Sequence, residues 1–116
     1  VAGRVVAVLD DLFFTVKILD AAKRAGLAIE FVKSEIDALD KARSAPSLMI
    51  LDLNCAAIDP LRLIATLKAE ANVPLIGYLS HVQGELKVQA QQAGCDAVLA
   101  RSAFSQSLPQ ILRRYA

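Results

Sequence analysis

The sequence predicts an α/β fold, with one parallel sheet covered by helices on both faces. Three observations carry that prediction. Short, continuous apolar runs recur along the chain, as in strands buried on both sides. Each run is followed by a segment with apolar residues at helical spacing, after a join of two to six residues. The length of 116 residues, 55% of them hydrophobic, suits one domain with a substantial core.

Taken in order, Arg4-Val5-Val6-Ala7-Val8-Leu9 is a buried strand that ends at the acidic pair Asp10-Asp11. A helix is expected over residues 13–25, with Leu12, Val16, Leu19 and Ala22 as its apolar stripe and Lys17, Asp20 and Arg24 opposite. Gly26 follows as its C′ residue. Residues 27–33 form a short second strand. Ser34-Glu35-Ile36-Asp37 is a capping box with aspartate in place of glutamate, and it opens a helix to about residue 44. Pro46 then precedes the most apolar strand, Leu48-Met49-Ile50-Leu51, which ends on Asp52.

Asp59-Pro60 is an N-cap with proline at the first helical position, and the helix it opens runs to about residue 71. Asn72-Val73-Pro74 breaks it, and residues 75–80 make a fourth strand. A fourth helix covers 84–93 with Leu86, Ala90 and Ala93 spaced along one side, until Gly94 stops it. Residues 97–100 form the fifth strand, up to Arg101. The last helix is expected to start near Ser105 or Ser107, the latter with Gln110 three residues on, and to end around Arg113-Arg114.

Right-handed crossovers leave few ways to arrange five such units, and a flavodoxin-like 2-1-3-4-5 order is the commonest at this size. Its switch point lies between the first and third strands, so Asp10, Asp11 and Asp52 are expected to converge there. Three close carboxylates repel one another and raise their own pKa values unless a cation is present. A hard ion such as Mg²⁺ relieves that repulsion and can orient a phosphate against the remaining carboxylate, the nucleophile of an aspartyl phosphate. The alternative is structural, because acids at strand ends also cap loops and helix N-termini.

These residues carry a resemblance. Over essentially its whole length the chain resembles a response-regulator receiver domain, the CheY-like phosphoacceptor module of two-component signalling. Asp10-Asp11 is similar to the family's acidic pair, and Ile50-Leu51-Asp52-Leu53 to its phosphoacceptor strand. Asp59-Pro60 stands where Asp-Gly is common. Val73-Pro74-Leu75-Ile76 resembles the proline-led fourth strand, and Ala93-Gly94-Cys95-Asp96-Ala97 the turn before the fifth. The resemblance implies that Asp52 accepts phosphate from a histidine kinase or phosphotransfer protein. It also implies that Asp10, Asp11, Asp52 and the backbone carbonyl of Asn54 hold Mg²⁺.

The departures from the family pattern are equally specific. The switch Thr/Ser falls on Leu79, with Ser80 one place on. The phosphate-contacting lysine becomes Arg101, and Ser102 replaces the proline after it. The switch aromatic falls on Val98, and one extra residue is expected within 102–105, before the last helix. Leucine cannot donate the hydrogen bond that the switch hydroxyl would give a phosphoryl oxygen, worth about 1.5–3 kcal/mol. Arginine keeps the charge but directs its donors differently from an ammonium.

Two readings within signal transduction therefore stay open. One is a phosphorelay receiver with Asp52 as phosphoacceptor. The other is a pseudo-receiver that acts as a protein-interaction module, with an output domain or a second copy meeting its fourth and fifth helices. Neither is an enzyme. A small hydrolase or nucleotide-binding domain on the same fold is a third reading, but no Gly-rich phosphate loop or Ser/His nucleophile arrangement supports it.

The formal net charge of +1 gives no electrostatic case for nucleic acid or an anionic membrane. No apolar run approaches the roughly 18 residues of a membrane span, so a cytoplasmic domain is expected. A chain that starts at Val1 is expected to be a segment of a longer one. Cys55 and Cys95 fall in loops at opposite ends of the parallel sheet, whose five-residue strands are about 17 Å long, whereas a disulfide needs Cα atoms within about 7 Å. Free, inert thiols are expected. His81 is read as a loop residue at the mouth of the site, and Gln83, Gln89, Gln91 and Gln92 as an uncharged polar face of the fourth helix.

Overall fold

A computed structural model describes residues 3–80 and 83–116. Among them, strands and helices alternate strictly: β1 (Arg4–Val8), α1 (Leu12–Arg24), β2 (Ala28–Val32), α2 (Glu35–Ala42), β3 (Leu48–Asp52), α3 (Pro60–Glu70), β4 (Leu75–Leu79), α4 (Gly84–Ala93), β5 (Ala97–Ala100) and α5 (Arg101–Arg114). All strand pairs are parallel, in the order β2-β1-β3-β4-β5. The expected topology is the observed one. Every residue of β3 and β4 is buried, as befits central strands with helices on both faces.

The sheet divides the core in two. On one face Val6, Val8, Met49, Leu51, Leu75 and Leu79 meet α2, α3 and α4. On the other, Val5, Ala7, Ile50, Ile76 and Tyr78 meet α1 and α5. This split follows from the period-two alternation of strand side chains.

Local signals set most of the boundaries. Asp59 caps α3 by accepting from the Arg62 amide, with Pro60 as the first helical residue. Ser34 accepts from the Asp37 amide at 3.1 Å, the forward half of a capping box. Glu35, the first helical residue, reaches across to Arg62 and the Asp59 amide, so it ties α2 to the start of α3. Gly26 takes a φ of +73° after α1, and Gly94 a φ of +125° after α4. Asp96 accepts from the Leu75 amide at 2.8 Å and from Lys68 at 3.0 Å, joining the start of β4 to the turn before β5.

Two expectations need correction. The buried stripe of α1 is Phe14, Ile18, Ala21 and Ala22, whereas Leu12 and Val16 are exposed at 77% and 60%. The helix is apolar around much of its circumference, and the ring of Phe14 settles the choice by lying 5.0 Å from that of Tyr78. The second correction concerns α5, which starts at Arg101 directly out of β5. The supposed loop and extra residue at 102–105 form its first turn, and Pro109 sits inside it. Proline removes the amide that would bond the Ser105 carbonyl, at a cost of ~3 kcal/mol. Buried Phe104, Leu108, Ile111 and Leu112 offset that, at about 1.5–3 kcal/mol each.

Candidate functional site

The site lies at the carboxyl ends of β1 and β3, the switch point of the sheet. Asp52 is the last residue of β3 and is only 3% exposed. One of its oxygens accepts from the Asn54 amide at 2.9 Å, a contact made within its own turn. Burial raises its pKa. The Asn54 amide and the charge of Arg101 pull it down, while the charges of Asp11 and Asp10 push it further up. The buried carboxylate is thus close enough to feel both acids of the β1 end.

Those two acids have different fates. Asp10 is exposed just past β1. Asp11 is the N-cap of α1, where its Oδ1 accepts from the amides of Phe13 at 2.9 Å and Phe14 at 3.3 Å. Its Oδ2 accepts from Nη1 of Arg101 at 3.2 Å. Both oxygens are therefore committed, one to a helix end and one to a guanidinium.

Arg101 is held in turn. Its guanidinium carbon lies 5.0 Å from the centroid of Phe14 and 5.8 Å from that of Tyr78. Tyr78 packs against both Phe14 and Phe104, with ring centroids 5.0 Å and 4.8 Å away, and those two rings lie 6.3 Å from each other. This aromatic stack left no mark in the sequence, because its members are spread over three elements and only the folded sheet brings them together. The Tyr78 hydroxyl is fully buried without a partner among the described residues, and burial raises its pKa strongly.

Leu79 ends β4 and points into the α3/α4 core, as does Val98. Ser80 lies on the other side, in a cleft of about 660 Å³ between α1 and the start of α5. Phe13, Phe14, Lys17, Arg101 and Ser102 also line that cleft. Arg101 thus stands between an open cleft and the acids. Above the site, the Asn54 side chain bridges two loops: its Nδ2 donates to Gln83 Oε1 at 2.7 Å, and its Oδ1 accepts from the Ser80 amide at 2.9 Å. Gln83 belongs to this bridge rather than to the polar face, which Gln89, Gln91 and Gln92 present. The expected role of His81 lies outside the described residues. Cys55 and Cys95 are both free and buried, and burial pushes their thiols up, Cys95 to about 11.

The acid side chains by themselves do not make up a three-ligand metal site among the described residues. Among the described residues, no three His, Cys, Asp or Glu side chains stand close enough together to hold one. Asp11, central to the expected set, has both oxygens engaged elsewhere. Asp10, Asp11 and Asp52 share one edge of the sheet without forming a three-carboxylate cage.

No protein-family model matches the chain, and no curated protein matches its sequence. Solved structures do match its fold. The chemotaxis response regulator CheY4 of Vibrio cholerae is 18% identical, with each chain covered over 100% of its length and a TM-score of 0.84. A response regulator from Hahella chejuensis is 21% identical, with 98% of this chain and 95% of that one covered and a TM-score of 0.86. The receiver domain of the sensor histidine kinase PA1611 from Pseudomonas aeruginosa PAO1 was solved with a magnesium ion in its active site cleft. It is 21% identical over 99% of this chain and 98% of its own, with a TM-score of 0.83. Along its whole length, the chain has the fold of CheY-like response-regulator receiver domains.

Proposed function

We propose that the chain is a receiver-fold signalling module that works through protein contacts, with an acid site that stays closed to phosphoryl transfer. The observation that carries this reading is the commitment of Asp11 to the α1 amides and to Arg101. A phosphoacceptor site needs its acids free to gather a metal, and here one of them is already a cap and an ion-pair partner. Two further features agree. Leu79 offers no hydroxyl to a phosphoryl group, and Tyr78 is locked in a stack rather than poised to change place. A ligand shifts an equilibrium only through contacts that differ between two states, and these side chains offer few.

The surface that would serve such a module is the exposed side of α1. Leu12, Phe13 and Val16 lie there with 77%, 68% and 60% exposure. Apolar side chains grouped in this way favour a protein partner. Under the same reading, the partner is an upstream kinase or an output domain.

One observation favours the other reading, a phosphorelay receiver. Asp52 ends the central strand within range of the Arg101 charge, where a transferred phosphoryl group would meet a cation. For that, Asp11 would have to leave Arg101 before Asp10, Asp11, Asp52 and the Asn54 carbonyl could hold Mg²⁺. Incubation with acetyl phosphate and Mg²⁺, followed by intact-mass measurement, separates the two. The module reading predicts no phosphorylated species. A phosphorylated species that disappears in Asp52→Asn would overturn it.

A further inference from the structure

We propose that the Arg101 guanidinium is the resident cation of the acid site, a side chain paired with Asp11 where a divalent ion would otherwise meet that carboxylate. The inference deepens the module reading and rests on the same acids. A divalent ion at such a site would do two things: offset the repulsion among carboxylates and fix their positions. Arg101 does both from within the chain. Its Nη1 donates to Asp11 Oδ2 at 3.2 Å, and the other oxygen of Asp11 is held by the α1 amides.

The cation is fixed at every end. Its backbone is the first residue of α5, reached from β5 without a loop. Its planar head lies over Phe14 and Tyr78, which are 4% and 0% exposed and cannot easily move aside. The carboxylate that it meets is fixed too, because the other oxygen of Asp11 caps α1. A lysine at this position would have a flexible stem and a point charge, free to swing from one oxygen to another. The guanidinium keeps its geometry by lying over the rings of Phe14 and Tyr78. An incoming Mg²⁺ would have to strip Asp11 from Arg101 and then shed some of its own waters, which it does reluctantly.

The test is a titration of the whole chain with Mg²⁺ alone, followed by amide NMR shifts at residues 10–12 and 52–54 and by thermal melting. Wild type is expected to show no saturable shift and no change in midpoint. Arg101→Gln is expected to melt several degrees lower in metal-free buffer. It should gain a saturable Mg²⁺ response that restores much of the midpoint and disappears again when Asp11→Asn is added. A wild type that saturates with Mg²⁺ as readily as Arg101→Gln overturns the proposal. So does an Arg101→Gln chain that folds but ignores the metal. If Arg101→Gln fails to fold, Arg101→Lys keeps the charge and loses the planar stacking. It should then bind Mg²⁺ where wild type does not, and an unresponsive lysine variant overturns the proposal. The module reading fails on a different result. Asp52 labelled by acetyl phosphate without Mg²⁺ would end that reading and leave the tethered cation standing.

Discussion

Asp52 combines a buried carboxylate with, among the described residues, a single hydrogen bond from its own turn, and the consequence is measurable. Its pKa in the folded state lies above that of the unfolded chain, so the folded state holds the proton more tightly. The stability this gives is present below the unfolded pKa and is lost as pH rises through the folded one. Asp52→Asn keeps an acceptor for the Asn54 amide and removes the charge. It should melt above wild type at neutral pH, and the gap should narrow on acidification towards about pH 4, the ordinary aspartate range. An Asn variant that melts lower than wild type at neutral pH would show that Asp52 is stabilised as an anion. Tyr78 offers a second test at this scale. Its buried hydroxyl has no partner among the described residues, so Tyr78→Phe should leave the melting temperature unchanged or raise it. A loss of more than about 1 kcal/mol would mean that the hydroxyl does find a partner.

At the scale of elements, the chain announces its ends more clearly where a side chain does the capping. Asp59-Pro60 and Ser34 were legible because a carboxylate or hydroxyl next to a helical stripe has few other uses, and both do cap. Asp59→Ala should cost about 1 kcal/mol in urea unfolding, while the bond from the residue 59 amide to Glu35 survives the change. The start of α5 was not legible, because Ala100 at its N-cap gives no side-chain bond. The serines and proline further along carried stronger but misleading signals. The face of α1 was misread for a related reason. Apolar residues occupy both sides of that helix, and only its packing against Tyr78 selects the side that Phe14 takes. Gly94 is a glycine for two separate reasons: its φ of +125°, and a position where an added Cβ would lie 2.6 Å from Lys68 Cγ. Gly94→Ala should therefore cost more than the ~1 kcal/mol of an ordinary glycine change. It should also loosen the hold of Lys68 on Asp96, seen as faster amide exchange at Leu75.

For the whole molecule, the strand order and its switch point followed from element rhythm and handedness, before any side chain was placed. That sufficed to bring Asp10, Asp11, Asp52 and Arg101 to one end of the sheet. Topology could not reveal which of them would pair, because the Asp11–Arg101 contact spans 90 residues and depends on where α5 begins. A receiver-like set of acids is present, with Asp11 paired to Arg101 and the guanidinium over Phe14 and Tyr78. Val16, on the exposed patch of α1, does not line the cleft beside Arg101, so Val16→Lys should change stability by no more than about 0.5 kcal/mol. A larger loss on denaturant unfolding would mean that the patch packs within the fold.

The central claim is that the acid site does not report a phosphoryl group. Its most direct test is the amide spectrum of the wild-type chain with Mg²⁺ and beryllofluoride, the mimic of an aspartyl phosphate. The spectrum is expected to stay unchanged around Asp52, Ser80 and Arg101. Saturable shifts at those residues that are abolished in Asp52→Asn would contradict it.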